Sequence, residues 1–529
     1  MRFCPLYRTA TLLTTLALGI TSLGCSKVMN TWSTLPPVTL TVCKKNPTAK
    51  LWNDIGSGTL TDPHVICTAS QFASIGKDSS SWAKHFALGT TIDLQKYDDS
   101  TSEWSLVSIG IWDYVTPANN VPFTGTFDGQ GFTLKNIKMV AVANQGVGPF
   151  GFTTGASIHD LRITGLDLSG GGHIGGLVST NKSSLLRDIY VEGTITGTFD
   201  RLAGLAANND GSGAGSDASI LRATTNVRIT GNGASGGLAG IATLNDARSG
   251  GRADITDSHA LGSLTITTFG DTVGGFIAYN IADGGGSAKF LGCSATGDIT
   301  IADRGGFSGL FIGTNTADGI GTNTSVTNSF TTGTFTSSGG AGGNLIGGLE
   351  GVNNCNNGAN CSITRSYVRG AINIPSGSSG RFGVGLLVGS NNPSSGANAS
   401  IVDSYALGSI NISSSGSTNV GGLVGNFGND AVSPVSVDRS YSSVSVTTFA
   451  PNPGAKYGAI FGGIGNVGPG SLIVSDTFWN VDLYATGSGT AVAGITAKTA
   501  SELTHRVQFT NWDFVSVWKI SEGVSSPTL

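Results

Sequence analysis

Charge is what this sequence has least of. Lys, Arg, Asp and Glu make up 12% of its 529 residues and leave a formal net charge of −4, where a typical soluble domain carries roughly 25% charged residues. No Lys/Arg cluster is present, so nothing suggests the grip on a phosphate backbone, and no nucleic-acid partner is expected. Long apolar runs are missing as well. The best one, about Leu12 to Leu23, is shorter than the roughly 20 residues that span a bilayer. No HExxH helix and no P-loop occurs. The histidines at 64, 85, 159, 173, 259 and 505 are scattered, with none at metal spacing from a partner. They are expected to be structural, and no metal or cofactor is expected.

What the chain has in excess is glycine, 81 residues, with hydrophobic residues still at 39%. That share of apolar residues, recurring in register, argues against disorder. The organising stretch is Ile255 to Ala278. Its first half, Ile255-Thr-Asp-Ser-His259 with Gly262, alternates around a glycine and reads as strand, bend, strand. Its second half, Val273-Gly-Gly-Phe276-Ile277, reads as a short buried strand. The first half returns at Leu186, Phe290, Val326, Ile363, Ile401 and Val437, with weaker copies at Ile158, Ile220 and Val474. The second returns as Gly-Gly-Leu at 175, 236, 347 and 421. From His259 through Ser294, Phe330, Tyr367, Tyr405 and Tyr441 the steps are 35, 36, 37, 38 and 36 residues. A period of this length signals a solenoid of similar coils.

Gly421-Gly-Leu-Val-Gly425 after Asp403-Ser-Tyr405 resembles the GLUG-motif repeat of bacterial surface and adhesin-like proteins. The resemblance covers roughly residues 66 to 529. It implies an all-β fold, a right-handed parallel β-helix (β-solenoid) with N- and C-terminal caps, on the cell surface. The motif is specific for architecture and poor for activity.

Five segments follow. Residues 1–24, with Arg2 and Arg8 ahead of the apolar run, read as a signal peptide. Gly24-Cys25 resembles a bacterial lipobox, which makes Cys25 the expected lipidated residue and an N-terminal lipid the membrane anchor. Residues 25–60, rich in Ser, Thr and Pro, read as a tether with one extended strand. Residues 61–145 supply an N-terminal cap and first coils. Helical turns are expected at Ser70–Ile75 and Trp82–Phe86 and a strand at Thr91–Leu94. Residues 146–480 hold about ten repeats, and 481–529 a C-terminal cap. There Thr499 and Glu502 open a short capped helix, and Trp512, Phe514 and Trp518 cover the last coil. Export agrees with the cysteines. Cys355 and Cys361 share one Asn/Gly-rich loop, as a disulfide or, alternatively, a metal pair; Cys43 and Cys67 could staple the N-terminal segment. Cys293 is left single, as a small buried hydrophobe.

Three columns are expected inside the coils. The first holds Leu186, Ile220, Ile255, Phe290, Val326, Ile363, Ile401 and Val437; the second Leu177, Leu238, Phe276, Leu310, Leu349 and Leu423. The third, Tyr190, Phe330, Tyr367, Tyr405, Tyr441 and Phe478, stands four residues beyond the first and so on the same face of a strand. A sugar-stacking platform is the functional alternative for these rings. Asp188, Asp257, Asp403 and Asp438 recur near one turn and are expected to bond their own backbone. The stretch 208–217, with Asp210 and Asp217, resembles a calcium loop only loosely and is expected to be a plain loop. The function expected is non-enzymatic: binding of a surface glycan or protein ligand at the outer membrane or cell surface. The alternative is a polysaccharide lyase or hydrolase on the same scaffold. Three or more carboxylates with Arg or Lys on one exposed face would favour the enzyme. Uniform Ser/Thr/Asn faces would favour the binder.

Overall fold

A computed structural model describes residues 38–97, 106–142, 144–198, 200–232, 236–267, 272–302, 306–337, 345–374, 382–413, 418–428, 432–448, 454–465 and 471–529. The signal-peptide segment and Cys25 lie outside the described residues. Among the described residues, no helix is long and apolar enough to cross a membrane.

The chain winds as a parallel β-helix. One coil shows the plan: Thr418–Gly421 lies in one ten-stranded sheet and Val424–Phe427 in another. Val435–Asp438 and Tyr441–Thr448 then lie in a long third sheet. Each strand pairs in parallel with its equivalent in the next coil, as in Tyr405↔Tyr441 and Val424↔Phe461. The paired glycines have separate reasons. A Cβ on Gly421 would sit 1.9 Å from the Val424 carbonyl oxygen of its own turn. One on Gly422 would sit 1.9 Å from the Ala459 carbonyl oxygen of the next coil. The first glycine lets the coil turn sharply, and the second lets the coils stack.

The first expected column is inside, none of its eight residues more than 1% exposed. The second needs correction. Backbone hydrogen bonds link Leu177, Leu205, Ile241, Phe276 and Phe311 in one turn rank, and Leu349, Leu387, Leu423 and Ile460 in the same way. Leu238 pairs with Leu202 and Val273 instead, so Gly236-Gly-Leu238 stands three residues ahead of its apparent place. Leu310 likewise precedes the rank, whose place is taken by Phe311.

A rank that sequence reading overlooked runs up the second ten-stranded sheet. Asn181, Asn209, Asn245, Asn280, Asn315, Asn353 and Asn391 are buried, and each Nδ2 donates to the next Oδ1 at 2.7–2.9 Å. The second Nδ2 hydrogen of Asn181, Asn209 and Asn245 goes to the carbonyl of Ser184, Ala218 and Ala253. Thr153 Oγ1 donates into Asn181 Oδ1 at 3.1 Å. At the other end Asn391 faces Phe427, and its Nδ2 has no partner.

Residues 38–60 depart from the expected tether with an extended strand. They form the helix Val38–Lys45, tied down by the Cys43–Cys67 disulfide (Cα–Cα 5.1 Å), and Trp52 Nε1 donates to Asp78 Oδ2 at 3.0 Å. They therefore belong with the N-terminal cap. The helix Ala69–Gly76, N-capped by Thr68, sets Phe72 against Phe127. Trp82–Phe86 is not helical. His85–Leu88 pairs as a strand with His64–Ile66 and Thr126–Asp128, with Phe86, Ala87 and Leu88 all buried. The C-terminal helix is a single 3₁₀ turn, Glu502–Thr504, closed by reciprocal Thr499–Glu502 hydrogen bonds.

Replacing Asn280 by alanine should strand a donor of Asn245 and the acceptor of Asn315, each costing about 1–3 kcal/mol. The exposed Asn360→Ala should stay within about 0.5 kcal/mol of the parent. Urea midpoints compared at equal slope check both.

Candidate functional site

The chemistry-bearing side chains are placed by one bend in the long sheet. In successive coils Asp160, Asp188, Arg222, Asp257, Asn328, Arg365, Asp403, Arg439 and Asp476 adopt φ of 43–56°, with Gly292 at 68° in the coil between Asp257 and Asn328, a left-handed conformation that, glycine apart, Asp and Asn tolerate best. The serine that follows repairs the ladder. Ser404 Oγ accepts from Ser366 N at 3.2 Å and donates to the Val402 carbonyl at 2.8 Å. Ser258, Ser329, Ser366 and Ser440 do likewise. Cys293 fills one such place, its thiol reaching the Ile255 and Leu291 carbonyls. Burial pushes that thiol up to about 12, so it stays protonated.

The bend also reverses which way side chains point. Ile401 faces the core and so do Ser404 and Ala406, which turns Tyr405 outward. The expectation of an internal aromatic column is therefore overturned: strand alternation does not carry through a left-handed residue. Phe330, Tyr367, Tyr405 and Tyr441 stack outside the coils at 4.7–5.2 Å, with interplanar angles of 2–18°. His259 and Ser294 interrupt the rank farther up, hydrogen-bonded at 2.8 Å, and Tyr190 packs under Arg162.

A sugar stacks on a ring face, and here the faces cover one another. The lower rungs are closed by the C-terminal segment. Trp512 and Trp518 are 6% and 1% exposed and pack on Tyr441, Tyr405 and Phe478, with Phe514 partly buried beside them. Tyr441 Oη donates to the Pro527 carbonyl at 2.6 Å, and Trp518 Nε1 to Asp403 Oδ1 at 3.3 Å. The tryptophans thus cover the side of several coils rather than the open end of the last one.

The bend rank corrects the carboxylate column too. Asp188, Asp257 and Asp403 belong to it, whereas Asp438 pairs with Val402 beside it. Asp188 and Asp403 bond arginines of neighbouring rungs: Arg222 Nε–Asp188 is 2.6 Å and Arg439 Nε–Asp403 is 2.8 Å. The Arg222 guanidinium holds the Asp188 carboxyl below its usual range. In the first coils Asp128, His159 and Asp160 converge close enough to hold a cation. Sequence spacing hid this trio because it draws on two coils. His159 Nδ1 lies 2.9 Å from Asp160 and 3.5 Å from Asp128, and Arg187 already reaches Asp160 at 3.5 Å and Asp188 at 2.7 Å. Asp160 is thus already engaged by Arg187 and by the imidazole beside it.

Cys355 and Cys361 form a disulfide (Cα–Cα 6.0 Å) beneath a turn where two earlier coils pack alanines, Ala247 with Ala253 and Ala282 with Ala288. The 208–217 stretch, expected as a plain loop, joins two strands. Asn208 to Asp210 end a strand, Asp217 starts the next, and Asp210 pairs with Lys182 at 3.8 Å. Sequence reading also missed Glu350. It occupies a core rank otherwise held by Ile277, Ile312, Val388, Val424 and Phe461, fully buried, with neither carboxylate oxygen hydrogen-bonded. Desolvation raises its pKa from 4.5 to about 8.

The folded state therefore binds a proton that the unfolded state has released between those two values. Stability is full below about pH 4.5 and falls as pH rises to about 8, by about 5 kcal/mol if the whole shift is realised. Glu350→Val should abolish that slope and raise the melting temperature at pH 8. Thermal melts of both proteins across pH 5–9 test this.

No family model matches the chain, and no solved structure matches it. Halomucin of Haloquadratum walsbyi is a curated protein that it resembles in part, 27% identical over 157 residues. That stretch is 29% of this chain and 2% of halomucin, so the chain spans a small fraction of the relative it matches.

Proposed function

We propose that this chain is a non-enzymatic β-helical rod, similar to GLUG-type proteins, that is displayed at the cell surface through a lipid on Cys25 and binds glycans or proteins there. One observation carries the reading. On the outer face of the long sheet, Ser169, Thr196, Thr230, Thr265, Thr300, Thr336, Asn373, Asn411 and Thr447 stand in one register-linked rank. All are exposed or partly exposed, and none is charged. Strands stack about 4.8 Å apart, so the rank offers evenly spaced hydroxyls and amides over nine coils, suited to a polymer of hydroxyl groups. The partial likeness to halomucin, whose name is that of a mucin, agrees with a surface role.

The polysaccharide-degrading alternative has an observation of its own. Asp128, Asp160 and Asp188 share adjacent coils with Arg187 and Arg222, the arrangement a glycosidic site would need. Arg187 reaches both Asp160 and Asp188, and Arg222 grips Asp188, so these two carboxylates are occupied within the protein, which favours binding.

Protease shaving of intact producing cells should remove the chain, with lysed cells as control. Thr300→Arg combined with Thr336→Arg should abolish retention on insoluble neutral polysaccharide without shifting the melting temperature. New reducing ends or unsaturated products from incubated polysaccharide, lost in Asp160→Asn, would instead establish the enzyme.

A further inference from the structure

Beside the turn between the two ten-stranded sheets stands an arginine that forms no salt bridge among the described residues. Arg201 lies on Asp200–Ala203, in register with His173 one coil before and Gly237 one coil after. Its Nη1 donates to Asn208 Oδ1 on the facing strand. Asn208 is held in turn, its Nδ2 donating to Thr180 Oγ1 at 2.9 Å and lying 3.3 Å from His173 Nδ1. Both Asn208 and Thr180 are buried. His173 stays neutral, because burial and the nearby guanidinium push its pKa down to about 3. Tyr114 stacks on His173 at 4.3 Å and donates its hydroxyl to Asp200 Oδ2 at 2.7 Å.

Asp200 and Asp246 act on Arg201 through their charge, but each makes its direct contact elsewhere. Asp200 receives Tyr114, and Asp246 forms its ion pair with Arg248. Among the described residues no carboxylate forms a salt bridge with Arg201, and burial lowers its pKa. A largely buried guanidinium in direct contact with one neutral acceptor and with no anion is under-satisfied, since buried charges are ordinarily paired at close range. The side chain remains partly exposed, so a ligand can reach the donors that the protein leaves open. Its planar fork matches a carboxylate or sulfate in a bidentate way.

We infer that Arg201, with Asn208 and Thr180 behind it, is the floor of a subsite for an oxyanion carried by a glycan, a uronate carboxylate or a sulfate ester. The subsite rests on the glycan-binding reading but lies on different sheets from the uncharged rank. Neutral polymers would engage that rank, and acidic ones the turn.

Binding of the full chain to polygalacturonate, dextran sulfate and neutral dextran, measured by calorimetry at low salt, tests the assignment. Wild type should bind an acidic polymer, Arg201→Gln should weaken that by about tenfold or more, and Arg252→Gln, an exposed arginine paired with Asp254, should not. Preference for polygalacturonate would assign the carboxylate, and preference for dextran sulfate the sulfate. If far-UV circular dichroism shows Arg201→Gln unfolded, Arg201→Lys, which keeps the charge and loses the fork, should still weaken binding. Absence of acidic-polymer binding in wild type, or equal losses in Arg201→Gln and Arg252→Gln, would overturn the subsite. Binding of acidic polymers that needs Arg201 while neutral polymers fail to bind would uphold the subsite and sink only the role of the rank.

Discussion

A side-chain amide buried in a coil has donors and an acceptor to satisfy, and here the neighbouring coils help to satisfy both. From Asn181 to Asn391 six successive amide–amide hydrogen bonds answer that requirement. An asparagine out of register by one residue would face the wrong side of its strand and leave two neighbours unpaired. Coil length can vary, but the extra residues must be taken up between the strands. The steps of 35 to 38 residues fit this: the strands stay in line and the connections absorb the difference. The aliphatic ranks supply most of the burial, while the amide rank specifies which residue opposes which.

The left-handed bend acts on the outside as the amides act within. One residue at positive φ breaks strand alternation, and the serine after it satisfies the backbone group that the break exposes. The same step brings aromatic rings onto the surface, where they stack face to face. Some are sealed by tryptophans from the far end of the chain. Aspartate is well suited to the bend and arginine is not, yet Arg222 and Arg439 are accommodated because aspartates on neighbouring rungs hold their side chains. Some of the few charged residues of this sequence thus support one another where the backbone is strained.

Much of the architecture was legible from periodicity. The Ile/Val/Leu column, the paired glycines and the strand–bend–strand unit could all be read because each answers to local sterics or burial. The aromatic column was misplaced because counting by twos assumes an unbroken strand, and φ at Asp403 or Arg439 is not written in the spacing. Leu238 misled for a related reason: its Gly-Gly-Leu copies the motif three residues early, and only pairing with Val273 reveals the shift. The asparagine rank did have a signal, three residues beyond Val178, Ile277, Ile312 and Val388, but a polar residue behind an apolar run looks like a loop. Asp128 with His159 and Arg201 with Asn208 come together only when coils stack, so no short motif could announce them.

The asparagine rank also gives the rod a sense of direction. Every Nδ2 points toward the C-terminal end and every Oδ1 toward the N-terminal end. Backbone dipoles in a sheet largely alternate and cancel, whereas these side-chain dipoles add. The interior therefore resembles an aligned electret, negative toward Thr153 and positive at the unpaired amide of Asn391. Two such rods lying side by side would lower their electrostatic energy by running in opposite directions.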